Sequence, residues 1–183
     1  STHKFPRMIN MHKWDELSAE WCSLPAILES AEQLIHDSPK LSQTMLYFKP
    51  PGGRGQGLHQ DQQYITQDPL VGVWIALDPS DEAVGQMVII PGSHKSGLLQ
   101  VETADTAVSF TNAQSVLPEN AQVVGADMAP GDALFFDGKT IHGSYQNTTE
   151  DRWRRSFICH YIGEHAKKFV PPQGYHVSHL KEK

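Results

Sequence analysis

The sequence predicts a mainly β protein, an antiparallel sandwich or barrel with helices at its N-terminal end. Many short apolar segments follow position 41, and Gly, Pro, Asn and Asp turns separate them. No helical periodicity lies between these segments, so a parallel, helix-crossed sheet is disfavoured. With 183 residues, the chain can form one hydrophobic core and is short for two. We therefore expect a single domain over 1–183. The first residue is not Met, which suggests that the N-terminus is truncated.

The helical pattern covers about 14–37. Its first half has apolar residues at three- and four-residue steps, namely Trp14, Leu17, Trp21 and Leu24. Pro25 suits the first turn of a second helix, because no hydrogen bond is lost there. That helix continues the apolar face through Ile27, Leu28, Ala31, Leu34 and Ile35. Both helices are expected to pack on the sheets until Ser38-Pro39 ends the pattern.

The barrel is predicted over about 43–163. Its candidate strands are Thr44 to Lys49, His59 to Thr66, Val71 to Leu77, Gln86 to Ile90, Ala121 to Val124, Ala133 to Phe136 and Arg154 to Ile162. The stretch 98–119 is polar and has little periodicity. We expect it to be a long loop that covers the barrel as a lid.

Composition excludes several classes of function. Fifteen Lys and Arg against 21 Asp and Glu give a formal charge of −6, which disfavours binding to nucleic acid or to an anionic membrane. No apolar run approaches the length of a membrane span. Cys22 and Cys159 lie far apart, so a disulfide framework is not expected and a reducing, cytoplasmic location is favoured. The expected partner is a small-molecule substrate.

One set of residues could hold a metal ion. His59 and Asp61 lie two positions apart on a predicted strand, where alternate side chains share a face. This triplet alone is a weak signal, because short motifs arise by chance. His142, after a distant apolar strand, would complete two imidazoles and one carboxylate. Such a set occupies one face of Fe(II) and leaves positions for a chelating co-substrate and oxygen.

A second set could hold a dicarboxylate. Arg154 and Ser156 lie two apart on the last predicted strand and should share a face. A guanidinium can bind both oxygens of a carboxylate, and a neighbouring hydroxyl adds a further hydrogen bond. The alternative is a surface arginine in a basic run. Arg155 should face the opposite side and serves as the comparison.

The ordered motifs resemble one enzyme family. They are Tyr47-Phe48-Lys49-Pro50-Pro51, Leu58-His59-Gln60-Asp61, Val73 to Asp78, Gly85 to Lys95, Gly131 to Gly138, His142-Gly143-Ser144 with Asn147, and Arg154-Arg155-Ser156. Over about 47–161 the chain resembles the phytanoyl-CoA dioxygenase family. Its members are iron(II)- and 2-oxoglutarate-dependent oxygenases on a double-stranded β-helix, a jelly-roll or cupin-like barrel.

The resemblance implies roles for particular residues. It makes His59, Asp61 and His142 the iron ligands and Arg154 the partner of the distal carboxylate of 2-oxoglutarate. The remaining residues that we assign to the co-substrate site are Ser144, Ser156, Met45, Trp74 and Gln60. Arg7 aligns loosely with a basic family position that reaches the same pocket. Asp61 stands where halogenases of the family carry a small residue, which favours hydroxylation.

The expected reaction uses oxygen to hydroxylate an unactivated C–H bond of a small-molecule or acyl substrate, while 2-oxoglutarate is decarboxylated to succinate. Two alternatives remain open: a cupin-type metalloenzyme that does not use 2-oxoglutarate, and a catalytically silent binding barrel.

We expect structural roles for two other histidines. His94 is expected to shape a turn at the barrel rim, and His160 to be a satisfied core histidine.

Overall fold

Two antiparallel sheets form the framework of the protein, of which the computed structural model describes residues 7–170. The strands are β1 (Arg7–Ile9), β2 (Pro39–Lys49), β3 (Gln56–His59), β4 (Gln67–Ala76), β5 (Met87–Ile89), β6 (Val101–Thr103), β7 (Ala113–Ser115), β8 (Val124–Ala126), β9 (Ala133–Asp137), β10 (His142–Ser144) and β11 (Arg154–Lys168). One sheet has the order β1-β2-β11-β4-β9 and the other β3-β10-β5-β8. This agrees with the mainly β jelly roll that the sequence predicts.

Two short helices cover the outer face of the larger sheet. They are α1 (Glu16–Trp21) and α2 (Pro25–Ile35), and α2 contacts β2, β4 and β11. Ile27, Ala31 and Ile35 of α2 are buried there, as their spacing predicts. The helices and the sheet thus share one hydrophobic core, which lies on the side of the sheet away from the interior of the barrel.

The first part of the predicted apolar stripe is not buried. Trp14 is 66% exposed and Leu17 is 53% exposed, so the expectation that they pack on the sheet is wrong. The physical reason is the length of α1, whose six residues begin only after the capping carboxylate of Asp15. Of the residues in this part of the stripe, only Trp21 packs against the core, and its ring meets that of Phe157 edge to face with the centroids 5.5 Å apart.

The side chains of β11 point alternately into the helix-facing core and into the barrel interior. Phe157, Cys159 and Tyr161 pack in the core beneath the helices. The intervening residues Ile158 and His160 line the interior cavity. The predicted alternation of this strand is therefore confirmed, and it extends beyond Ile162 to Lys168.

Three local predictions are wrong. The strand expected over His59 to Thr66 ends at His59, and a 3-10 helix follows over Asp61–Gln63. The strand expected over Ala121 to Val124 lies instead over Val124–Ala126. Within 98–119 the hairpin of β6 and β7 replaces a featureless loop. These strands have three residues each, too few for a period-two pattern to emerge.

Both cysteines lie in the helix-facing core. Cys22 and Cys159 are free thiols that are 5% and 0% exposed. Burial raises the pKa of the Cys159 thiol to about 12, which keeps it protonated and unreactive. Among residues 7–170, neither helix has the length and apolar character needed to cross a membrane.

Removing the Tyr161 hydroxyl should destabilise the packing of α1 on β11. The fully buried Tyr161 donates to the carbonyl of Cys22 at 2.6 Å, and Tyr161→Phe leaves that acceptor without its partner. We expect a loss of about 1–3 kcal/mol in the free energy of unfolding, measured by urea denaturation. Tyr145→Phe is the control, because Tyr145 is 54% exposed. Equal stabilities for the two variants would contradict the assignment.

Candidate active site

Two buried histidines face each other across neighbouring strands of the smaller sheet. His59 ends β3 and His142 begins β10, and the antiparallel register pairs these two residues directly. Their ring centroids are 4.3 Å apart. They are only 5% and 7% exposed, so both imidazoles are shielded from bulk water.

Backbone carbonyls fix the tautomer of both rings. Nδ1 of His59 donates to the carbonyl of Gly57 at 2.9 Å, and Nδ1 of His142 donates to that of Thr140 at 2.9 Å. Because each Nδ1 carries the proton, each Nε2 of the neutral ring presents a lone pair. This outer-shell arrangement is typical of histidines that ligate metals.

Asp61 reaches the same point from the 3-10 turn after β3. Its Oδ1 lies 3.5 Å from His59 Nε2, and its Oδ2 lies 3.6 Å from His142 Nε2. The three candidate ligand atoms all lie within 4.8 Å of one another. The sequence pairs His59 with Asp61 by strand alternation, and that reasoning is wrong. The 3-10 turn brings the carboxylate back beside the histidines instead.

His160 has a more specific place than the core histidine that the sequence suggests. It is 1% exposed and its Nε2 lies 2.7 Å from Asp61 Oδ2, to which it donates. One carboxylate oxygen is thereby held by the protein, and Oδ1 remains for a metal ion. The signal was available in the sequence, since His160 shares the inward face of β11 with Arg154.

The charge states of these groups suit a cation. Burial lowers the pKa of His142 to about 4, so its imidazole is neutral at physiological pH. Burial alone would raise the pKa of Asp61, but the imidazoles of His142 and His160 outweigh it and hold that pKa well below its usual value. An ionised carboxylate and a neutral imidazole are the forms that bind metal ions.

Arg154 is a buried cation that pairs with no carboxylate of the described residues. It is 4% exposed, and no ion pair to it occurs among residues 7–170. Its guanidinium lies 5.2 Å from the Trp74 ring, makes a 3.4 Å hydrogen bond to Ser156 and leaves Nε unpartnered. Arg155 faces outward and binds both oxygens of Asp78, as the alternation predicts.

A cavity of about 510 Å³ connects the two sets of groups. Among the residues that line it are His59, Asp61, His142, Arg154, Ser144, Met45 and Trp74. Ser156 is fully buried and contacts Arg154 from outside the lining. The structure thus places every predicted ligand and most predicted co-substrate residues on one cavity.

Gln60 also lies outside the lining, and because its hydrogen bonds go to loop backbones, its assignment to the co-substrate site is wrong. Its side chain is fully buried away from the cavity lining. Its amide nitrogen donates to the carbonyls of Gly97 and Lys139, and its oxygen accepts from the backbone of Leu99. Through these hydrogen bonds, the Gln60 side chain holds the surrounding loops against the turn that carries Asp61.

The segment 98–119 and β1 complete the cavity wall. Thr106, Phe110, Thr111, Asn112 and Ala113 all line it. The segment is attached to the barrel through Arg54, which donates to the carbonyl of Thr106 at 2.6 Å. Arg7 lies on the exposed side of the lining and its guanidinium is 3.4 Å from the Tyr47 hydroxyl. His94 is exposed in a 3-10 turn away from the lining, as expected of a rim residue.

Two further side chains contact the site, although the sequence did not single them out. Gln56 directs its amide nitrogen at His59 Nε2, 3.0 Å away. Lys49 is fully buried and donates to the Ser144 hydroxyl at 2.9 Å. Alternation along β2 could have found Lys49, because it shares the inward face with Met45 and Tyr47.

The chain is similar to known proteins in both sequence and fold. The model of the phytanoyl-CoA dioxygenase (PhyH) family matches residues 3–156. A probable phytanoyl-CoA dioxygenase of Caenorhabditis elegans is 30% identical over 174 residues, which cover 87% of this chain and 55% of that protein. The chain thus spans about half the length of this relative.

Solved structures with the same fold include two with bound 2-oxoglutarate, also called alpha ketoglutarate. EvdO2 from Micromonospora carbonacea var. aurantiaca, complexed with 2-oxoglutarate, has a TM-score of 0.73 at 20% identity and covers 93% of this chain and 71% of its own. The epimerase SnoN, in complex with Fe3+, alpha ketoglutarate and nogalamycin RO, has a TM-score of 0.75 at 20% identity, over 91% and 66% of the two chains. At these identities the likeness establishes the fold, and the family model establishes the kinship: the chain belongs to the phytanoyl-CoA dioxygenase family.

Proposed function

We propose that the chain is a non-haem iron(II)- and 2-oxoglutarate-dependent dioxygenase that hydroxylates an unactivated C–H bond of a small-molecule or acyl substrate. One observation carries the proposal. Two imidazoles and a carboxylate converge on the same cavity as a buried guanidinium that has no carboxylate partner among residues 7–170. A metal ion and a dicarboxylate together would satisfy both halves of this arrangement.

The donor set fits iron(II). His142 offers its Nε2 lone pair, and Asp61 offers an oxygen that His160 does not use. His59 offers its Nε2 lone pair once the Gln56 amide, which lies 3.0 Å from it, gives way to the metal. Mixed nitrogen and oxygen donors on one face suit divalent iron and leave three of its six positions open. A bidentate co-substrate and oxygen require that number of open positions.

The Arg154 end of the cavity fits the distal carboxylate of 2-oxoglutarate. A buried guanidinium without an anion is costly, and a carboxylate ligand removes that cost. Trp74 holds the guanidinium from one side and Met45 supplies an apolar wall nearby. Ser144 adds a hydroxyl on the same lining.

When bound, the iron would supply oxygen activation coupled to decarboxylation of the co-substrate to succinate. The chain's own residues bind, orient and shield the reacting groups. His160 and the carbonyls of Gly57 and Thr140 hold the ligands in fixed orientations. The segment 98–119 covers part of the cavity, and we propose that it acts as a lid that excludes water during turnover.

Kinship and fold support this proposal. The family takes its name from a dioxygenase, and structural neighbours bind 2-oxoglutarate or its iron complex. SnoN was solved with nogalamycin RO, a small molecule, which favours a substrate of that size class here. We keep a single catalytic domain and a cytoplasmic location as predictions. A cupin-type enzyme without 2-oxoglutarate and a silent binding barrel become outcomes of the tests below.

Replacing Arg154 should strongly weaken binding of the co-substrate. Arg154→Met removes the cation expected to pair with the distal carboxylate, so we predict at least about 30-fold weaker binding of 2-oxoglutarate, measured by anaerobic calorimetry on the metal-loaded protein. Arg155→Met is the matched control, since Arg155 is exposed and pairs with Asp78 on the outer surface. Unchanged binding to Arg154→Met would contradict the role of Arg154, and no binding of 2-oxoglutarate by the unsubstituted protein would favour the cupin-type alternative. Tight binding without succinate formation would favour the silent barrel.

The metal-free protein should lose stability as the pH falls from 6.5 toward 4. The pKa of His142 is about 4 in the folded state against 6.5 ordinarily, so in this window only the unfolded chain takes up the proton. The shift predicts a decrease of about 2 kcal/mol in the free energy of unfolding between pH 7 and pH 5, measured with urea. His142→Gln should show a correspondingly smaller decrease. An equal decrease in both proteins would contradict this electrostatic account.

A further inference from the structure

We propose that Lys49 is a positioning residue of the co-substrate site, which fixes the Ser144 hydroxyl as a hydrogen-bond donor to the distal carboxylate of 2-oxoglutarate. This inference rests on the proposed function and adds a residue to it. It is carried by the contacts of the Lys49 ammonium, by the hydrogen-bond pattern at Ser144 and by the charge balance around Arg154.

The Lys49 ammonium is enclosed by acceptors. Its side chain is fully buried at the end of β2, a rare position for a lysine. Nζ donates to the carbonyl of Gly85 at 2.8 Å, to the carbonyl of Tyr145 at 2.6 Å and to Ser144 Oγ at 2.9 Å. Three acceptors match the three protons of an ammonium group. Lys49 therefore holds the end of β10 in place.

The Ser144 hydroxyl is left with only one role. Its oxygen accepts from Lys49 Nζ at 2.9 Å and from the backbone nitrogen of Gln56 at 3.3 Å. A hydroxyl oxygen has two lone pairs, so the remaining interaction is donation of its own proton. Ser144 lines the cavity, and no acceptor for that proton is present among residues 7–170. The hydroxyl is thus prepared for a ligand that accepts, as a carboxylate does.

Two cations lie side by side without an anion. Lys49 on β2 pairs in register with Arg154 on β11. Neither forms an ion pair with a carboxylate in the part of the chain that the structure describes. Burial and the neighbouring Arg154 lower the pKa of Lys49, which expresses the cost of this arrangement. An anionic ligand at Ser144 and Arg154 would compensate both charges.

The test compares two ligands that share the chelating 2-oxo acid group. 2-Oxoglutarate carries the distal carboxylate, and 2-oxopentanoate has a methyl group in its place. We expect Lys49→Met to weaken binding of 2-oxoglutarate about tenfold and to leave binding of 2-oxopentanoate unchanged, measured by anaerobic calorimetry on the nickel-loaded protein. A purely structural role would weaken both ligands together. Lys40→Met is the matched control on the same strand, since Lys40 pairs with Glu164 at the surface.

If Lys49→Met does not fold, a second variant tests the same role of the Ser144 hydroxyl. Ser144→Ala, which keeps the buried ammonium, should reduce the preference for 2-oxoglutarate over 2-oxopentanoate. Where Lys49→Met folds, adding it to Ser144→Ala should not reduce that preference further. An unchanged preference in either single variant would overturn the role of Lys49. If the unsubstituted protein binds neither ligand, the proposed function itself fails, and this result is distinct from the others.

Discussion

The pairing of β3 with β10 is the constraint on which the site depends. Its register sets His59 directly opposite His142, and the carbonyl two residues before each histidine holds the Nδ1 of that histidine. A shift of one residue would turn one imidazole to the opposite face of the sheet. Glycine permits this close pairing, because a side chain at Gly143 would meet the backbone of Gln56 at 2.7 Å. The sheet therefore positions the two histidines of the site.

Charge separates the cavity into two regions. The carboxylate of Asp61 lies among three imidazoles, whereas Arg154 and Lys49 lie together and form no ion pair with any carboxylate of residues 7–170. The cationic region alone is unfavourable in a buried setting, since ions there require partners. A divalent cation at the first region and a dianion at the second would complete both. The electrostatics of the fold thus favour binding the two together.

Much of the site could be predicted from sequence, because the family motifs occur in order around His59, Asp61, His142 and Arg154. What failed depended on tertiary contacts. Gln60 sits within a metal-binding motif, yet its amide is used by loop backbones that approach from distant segments. Sequence reasoning missed Lys49 because lysines are seldom buried, although alternation along β2 places it on the inward face. The exposure of Trp14 likewise follows from where α1 begins, which periodicity alone does not locate.

The central claim is that one cavity binds iron(II) and 2-oxoglutarate together. The most direct measurement is an anaerobic titration of metal-free protein with both ligands, following the visible metal-to-ligand charge-transfer absorption. The account predicts a band that requires both ligands and is absent from His142→Ala. No band with the unsubstituted protein, together with no change in its melting temperature on adding either ligand, would contradict the account.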